Sequence, residues 1–395
     1  MPRLNSAALL LACGFIFVFT ETILSPFYPQ FFAQVFGVAD LTLTGNYVAM
    51  CRLTVLISAP TWGFIARKVD PLKLLIFGQL LAAGATLLLS QARDLNSFLL
   101  LSVLLLLFKS SYFLFYSLLI ELQGKHRQAK TVGQVQLVVH AALIASALAS
   151  AWVLELANPL QMFAFVALLD LLQVFLCVLV FRHRRQARTS EAPAVKVSEP
   201  QQVWMLPTIM AYGLLVLGFS VASNAVRPYL TIYSTDVLGV DRIAAAWLYL
   251  IPSLMAFAVF PLLQSAWIKR IQPMQAYGVM LATLVLSLAW QAVAASFYQL
   301  LLARMLFGFS LLSAQAVLEM YLFANAQHSP HWYFSLASTV QHGGQLLAPL
   351  LAAWVVLAWG LSAPFWLAAS ILSISSLAIY WGLSTRSALH AQRSI

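Results

Sequence analysis

Charge is scarce in this chain. Asp, Glu, Lys and Arg together make up 9% of the residues, and only 12 of the 395 are acidic. That lies far below the soluble norm. Cysteine is nearly absent too. Cys13, Cys51 and Cys177 all fall inside apolar runs, which reads as small buried hydrophobes and excludes a disulfide framework or a cysteine-based metal site. Long polar sequence occurs once, from Arg182 to Val203. The sequence also holds no G-x-S-x-G, H-E-x-x-H or P-loop pattern, so a membrane enzyme is the weakest functional class, and no cofactor or metal is expected. A signal-peptide cleavage pattern is missing at the N-terminus, so the first apolar run is expected to be retained as a spanning helix.

What the chain does have is hydrophobicity, at 62% of residues. A soluble protein of this length could not hide that much apolar surface. A spanning helix needs about 20 apolar residues. That criterion predicts spans near 6–25, 43–66, 74–91, 98–122, 131–155 and 159–181, then near 204–228, 243–267, 274–293, 297–323, 335–358 and 364–384. The second set repeats the first at an offset of 202 residues. Pro26, Gly37, Val38 and Tyr47 recur as Pro228, Gly239, Val240 and Tyr249. Arg67-Lys68 with Pro71 recurs as Lys269-Arg270 with Pro273, and His140 with Ala151-Trp152-Val153 recurs as His342 with Ala353-Trp354-Val355. A constant offset across separate landmarks means two equivalent halves, as in many transporters. The expected organisation is a six-helix bundle over 1–181, a linker over 182–203 and a second bundle over 204–395.

The formal charge of +10 would point to nucleic acid in a soluble chain. Here the cations sit in short loops between apolar runs, so they set membrane orientation instead, and no nucleic-acid partner is expected. With the N-terminus inside, 16 of the 22 Lys and Arg residues fall on the cytoplasmic side, only Arg93 and Arg242 fall opposite, and four lie within spans. Both termini are therefore expected in the cytoplasm, with the chain a multi-pass protein of a bacterial inner membrane.

Two six-helix halves, a basic central segment and a basic pair after the second helix of each half resemble the major facilitator superfamily over essentially the whole chain. The motifs match unevenly. The family's loop between helices 2 and 3 reads G-x-x-x-D-(R/K)-x-G-(R/K)-(R/K). Here Gly63 and Lys68 match, Arg67 stands in place of the acid, and Asp70 stands in place of the second glycine. The family's charge relay cannot be carried over unchanged. Glu121, Arg127 and Gly133 are similar to the acid, arginine and glycine that follow helix 4 in the family. They place Glu121 beside Arg67 or Lys68 in a substitute cytoplasmic gate, with Lys269 and Arg270 its counterpart. Lys109 resembles the family's helix-4 arginine, and Arg304 through Gly308 resembles its R-x-x-x-G form. The resemblance implies an all-α fold of 12 spans, with helices 1, 4, 7 and 10 around a central cavity.

Ionisable residues inside spans are the main functional candidates, because a charge at a helix centre costs about 2.5–3.5 kcal/mol on insertion scales and so faces a partner or a wet cavity. Glu21 and Arg52 lie at roughly 22 and 21 Å from the cytoplasmic side, and an ion pair between them is expected. Lys109, Arg227, Arg304 and Arg52 are candidate contacts for an anionic substrate, since arginine matches carboxylate geometry and lysine supplies a compact charge. Arg227 also reads as a side chain snorkelling to the interface. Glu21 is the leading proton-coupling candidate. His140 and His342 follow because histidine titrates near pH 6.5, though a buried histidine is more often simply hydrogen-bonded. Asp170 needs a partner or a proton, and Glu319 reads as a proton site or an inner gate.

These residues point to a proton-coupled transporter for a small organic anion, with efflux favoured and a carboxylate-type siderophore or metabolite among the substrates. It is expected to act as a monomer in the lipid bilayer. A multidrug exporter, an uptake permease and a non-transporting sensor are the alternatives. Protease added to inside-out vesicles should cut around Arg184 to Arg188; cleavage confined to right-side-out vesicles would overturn this topology.

Overall fold

The computed structural model describes residues 6–66, 68–115, 118–119, 128–187, 206–263, 273–325 and 330–375, and no strand occurs among them. Helix α1 (Ser6–Thr22) breaks at a 3-10 turn over Ser25–Phe27 and resumes as α2 (Tyr28–Phe36). Helices α3 (Leu41–Ile65), α4 (Pro71–Leu89), α5 (Leu95–Lys109), α6 (Gln128–Val153) and α7 (Gln161–Ala187) follow. The second series is α8 (Leu206–Ala225), α9 (Leu230–Asp236), α10 (Arg242–Leu263), α11 (Pro273–Ala292), α12 (Phe297–Asn325), α13 (Pro330–Trp359) and α14 (Ala363–Ser375). Among the described residues, nine helical segments are long and apolar enough to cross a membrane, and Ala276–Ala292 and Ala363–Ser375 are shorter apolar helices. Together with α8, helices occupy all the expected span positions. Helix α7 runs through Ala187, so the start of the expected linker is helical instead. Arginine and glutamine, which dominate that stretch, are good helix formers. Residues 188–203 lie outside the described residues.

The repeat is visible in the helix starts. Tyr28, Pro71, Leu95, Gln128 and Gln161 begin helices, and so do Leu230, Pro273, Phe297, Pro330 and Ala363, each 202 residues later. The local chemistry explains the match. Pro71 and Pro273 sit at the first helical position, where the missing N–H costs nothing. Asp70 caps α4 by accepting from the Leu72 N–H at 2.9 Å, and Asp40 caps α3 by accepting from the Thr42 N–H at 2.8 Å. Gly37 and Gly239 end α2 and α9 with φ of 67° and 66°, a left-handed conformation that glycine adopts without steric cost. Both ends carry the same six-residue return bond, from Val38 N–H to Phe32 C=O and from Val240 N–H to Ser234 C=O, each 3.3 Å.

The described residues fall into two compact units. One is built on residues up to 195 except 44–49, and the other on 44–49 and the remainder. In the first, α4 packs on α7 and α5, and α1 packs on α6 and α7. Its core includes Leu10, Leu72, Leu75, Cys13 and Cys177, and Phe31, Phe98 and Phe163 form a separate cluster of tilted and edge-on ring contacts. In the second, α12 packs on α10 and α11, and α8 packs on α13, around Leu230, Tyr233, Leu284, Leu288, Leu300 and Phe365.

A Cβ at Gly37 or Gly239 would meet nothing within 4 Å, so only the backbone would resist a side chain. Gly37→Ala and Gly239→Ala should each destabilise by a similar amount, about 1–2 kcal/mol, read as equal losses of thermal stability in detergent.

Candidate functional site

The first span of each unit is interrupted at the same place. In the first unit α1 stops at Thr22, just after Glu21. In the second α8 stops at Ala225, and Arg227 occupies the turn before α9. The breaks carry Pro26 and Pro228, which lack the N–H a continuous helix would need. Matched proline-interrupted segments in the two halves are a strong pointer to a transport site.

Lys109 ends α5 and is almost completely buried, with Asp170 of α7 beside it. Their Nζ and Oδ1 atoms are 3.3 Å apart. Lys109 Nζ also donates to Thr20 Oγ1 at 2.8 Å. Thr86 Oγ1 lies 3.0 Å from Asp170 Oδ2, placed to donate. Four helices thus contribute one polar group each, and Asp170 gains the partner that its sequence position left unnamed. Directly after Lys109 the helix tightens into a 3-10 turn over Ser110–Phe113. The carbonyls at this turn are met by side chains: Trp62 Nε1 donates to Leu107 C=O at 2.8 Å, and Gln79 Nε2 lies 3.5 Å from Lys109 C=O. Lys109 was expected to face an anionic substrate. Its charge is instead compensated within the protein by the Asp170 carboxylate.

The ion pair expected between Glu21 and Arg52 does not form among the described residues. Both side chains are half-buried, and Glu21 is in electrostatic reach of Lys109 first, then of Arg52 and Asp170. No ion pair holds the acid among the described residues.

Arg304 of α12 is 4% exposed, yet no acid contacts it among the described residues. Its Nε donates to Leu248 C=O at 3.1 Å and its Nη1 to Gln291 Oε1 at 3.3 Å, and its guanidinium carbon lies 4.9 Å from the centre of the Phe307 ring. The reason is local. Leu248 would normally bond to the N–H four residues on, but that residue is Pro252. Arg304 fills the vacancy in α10. Gly308, one turn further along α12, lets the two helices approach there: a Cβ on Gly308 would lie 2.5 Å from Pro252 Cα. The R-x-x-x-G pattern is thus a packing device across from a proline, and two of the five guanidinium N–H donors of Arg304 are spent inside the unit, on Leu248 C=O and Gln291 Oε1. Pro252, Gln291, Thr20 and Thr86 are partners that sequence reading missed. The legible signal was Pro252 inside a predicted span.

Arg227 is half-buried, with its guanidinium carbon 5.9 Å from the centre of the Tyr249 ring, and it makes no hydrogen bond or ion pair among the described residues. His342 is half-buried, with Nδ1 3.4 Å from Gln345 Oε1, and His140 is half-buried on α6. Lys68 is exposed. Arg67, Glu121, Lys269 and Arg270 lie outside the described residues, as does the side chain of Glu319.

The sequence pattern of the Major Facilitator Superfamily matches residues 10–286. The chain belongs to that superfamily. No curated protein matches it. Its fold is similar to that of the human organic anion transporter MFSD10 (TETRAN), at 14% identity and a TM-score of 0.69, over 96% of this chain and 99% of the other. It is also similar to the POT family transporter PepTSo, at 11% identity and a TM-score of 0.78, over 98% and 99% of the two chains. These likenesses carry the fold alone. As a superfamily member, the protein is a multi-pass membrane transporter, and in each unit the interrupted first span with its charged residue is a candidate site.

If Arg304 serves mainly to satisfy the carbonyl that Pro252 leaves unpaired, the two residues are energetically coupled. Arg304→Gln should cost about 1.5–3 kcal/mol of stability. In a Pro252→Ala background, where the backbone N–H returns, most of that cost should vanish. A double-mutant cycle on thermal unfolding that gives simple additivity would dismiss the explanation.

Proposed function

We propose that this protein is a proton-coupled secondary transporter of a small, carboxylate-bearing organic anion. In this reading it is a monomer in a bacterial inner membrane with both termini cytoplasmic, and it exports its substrate by alternating access. The observation that carries the anion reading is Arg227. It stands in the break of the first span of the second unit, half-buried, with an aromatic face beside it and no compensating acid among the described residues. The acidic side chains described in that unit, Asp236 and Asp241, are exposed near the turn between α9 and α10. A guanidinium in such a place is suited to bidentate carboxylate binding. Arg304 adds positive field near Arg227, with two of its donors already used within the unit. In the first unit Arg52 is a further candidate contact for the substrate. Lys109, paired with Asp170, is withdrawn from this role. The human transporter of similar fold carries organic anions, so the fold accommodates such cargo.

Proton coupling is assigned to Glu21, at the matching break of the first unit and within electrostatic reach of Lys109 and Arg52. His140 and His342 are secondary candidates, and Glu319 remains one by sequence. An intramembrane carboxyl binds a proton when desolvated and releases it when a cation approaches.

Purified protein in proteoliposomes with an imposed pH gradient tests both halves of the reading. Labelled succinate and citrate should move, and the cationic dye ethidium should not. Arg227→Gln should raise the KM of the transported carboxylate roughly 10- to 150-fold, the equivalent of one charge-assisted contact, with Arg227→Lys milder. Glu21→Gln should abolish gradient-driven accumulation while leaving exchange. Transport of ethidium but of neither carboxylate would replace this reading with multidrug efflux.

A further inference from the structure

The buried ion pair of the first unit has no counterpart in the second. Moved by the repeat offset of 202 residues, Thr20, Thr86, Lys109 and Asp170 become Ala222, Leu288, Leu311 and Leu372. Ala222, Leu288 and Leu372 are buried in the apolar core of the second unit, and Leu311 packs against it. The same skeleton, with helices starting at equivalent residues, therefore closes at this point without any charge. A buried ion pair contributes little net stability, and apolar replacements of similar volume are often neutral or better. Folding thus gives no reason to keep four polar groups here.

The surroundings give a reason of another kind. Thr20, which accepts from Lys109, directly precedes Glu21 in α1. Gln79 of α4 and Gln173 of α7 are fully buried. Gln79 Oε1 and both amide atoms of Gln173 find no hydrogen-bond partner among the described residues. Gln79 Nε2 lies 3.5 Å from Lys109 C=O and from Ser111 Oγ, and Gln173 is one turn from Asp170. Buried amides with unmet capacity mark places where water binds or a group moves. Their repeat counterparts are Leu281, again core, and Ser375. The 3-10 turn after Lys109 adds a point where the helix can change pitch.

We propose that the Lys109–Asp170 pair, with Thr20 and Thr86, is a coupling element serving transport rather than the fold, through which the protonation of Glu21 is felt by the helices of the first unit. When a proton from water binds the Glu21 carboxylate, Lys109 is held by Asp170 alone. When that proton leaves to water, Lys109 lies between two carboxylates, and the contact joining α1, α5 and α7 is redistributed. Lys109 keeps its own protons throughout. The charged groups that act on Glu21 are Lys109 on α5, Arg52 on α3 and Asp170 on α7; α6, which also packs on α1, carries His140, and α4 contributes the neutral Thr86 to the Asp170 carboxylate. This rests on the assignment of proton coupling to Glu21, and not on the identity of the substrate.

The test transplants the second unit's solution into the first: Thr20→Ala, Thr86→Leu, Lys109→Leu and Asp170→Leu together. Lys109→Leu and Asp170→Leu alone should each cut the folded yield and the melting temperature, because each leaves one buried charge unpaired. The fourfold variant should restore both to the level of the unmodified protein. Melting is then followed across pH 5–8, with and without Glu21→Gln. The share of the pH dependence that Glu21→Gln removes should change about two-fold or more between the unmodified protein and the transplant. No substrate is needed, so failure of the anion reading leaves the comparison intact. An unchanged Glu21 share makes the pair inert packing and overturns the proposal. If the transplant stays as unstable as the single variants, Lys109→Met with Asp170→Asn, which preserves shape, is compared in the same way; instability there too means the fold needs the charges, and the proposal falls.

Discussion

Inside a membrane, a polar group that finds no partner in the protein has nowhere else to turn. This constraint organises both units. Pro252 denies Leu248 its usual backbone partner, and Arg304 reaches from α12 to supply one. The 3-10 turn after α5 strands carbonyls that Trp62 and Gln79 approach. Asp170 would be intolerable alone at the centre of α7, and Lys109, Thr20 and Thr86 surround it. In each case an irregularity or a charge in one helix dictates a side chain in another. The positions that look most functional in the sequence are therefore also the ones most burdened with structural duty.

Two halves built on one skeleton make it possible to separate these duties. The helix starts, the proline-led α4 and α11, and the left-handed glycine ends of α2 and α9 recur at a fixed offset, so they belong to the skeleton. The polar devices do not recur. The first unit carries a Lys–Asp pair where the second is apolar. The second carries Pro252 with Arg304 where the first has Met50 and Ser102. A feature present in one half and dispensable in the other is specific to a task. On that basis the first unit is specialised around a balanced set of charges near Glu21, and the second around cations near Arg227 that the described acids do not balance. The division fits the proposal that protons bind in one half and an anion in the other.

Sequence patterns reached far for the architecture and only partway for the site. The spans, the repeat and the superfamily were legible because hydrophobic length and terminal caps are local properties. Gly37 and Pro71 act on their own neighbours, and the offset shows them twice. The list of intramembrane charges was equally legible, but the sequence left its pairing open. Glu21 and Arg52 were matched by depth alone, and depth omits the direction in which each helix presents its side chain. Lys109 was placed toward a cavity by family likeness, whereas its partner Asp170 lies on a helix that the likeness puts at the periphery.

The sequence by itself determined that this is a membrane protein of two equivalent helical halves, because a run of about 20 apolar residues spans a bilayer whatever surrounds it. It also determined which few residues carry charge within the spans. Only the tertiary structure decided which partners the described charges meet. Residues 20, 86, 109 and 170 are strangers along the chain, and their meeting depends on how four helices are rotated about their own axes. The same holds for Arg304, whose role follows from facing Pro252 across a close helix contact. Rotation and approach are set by the packing of whole helix faces, a sum of many weak contacts that no single residue in the sequence records.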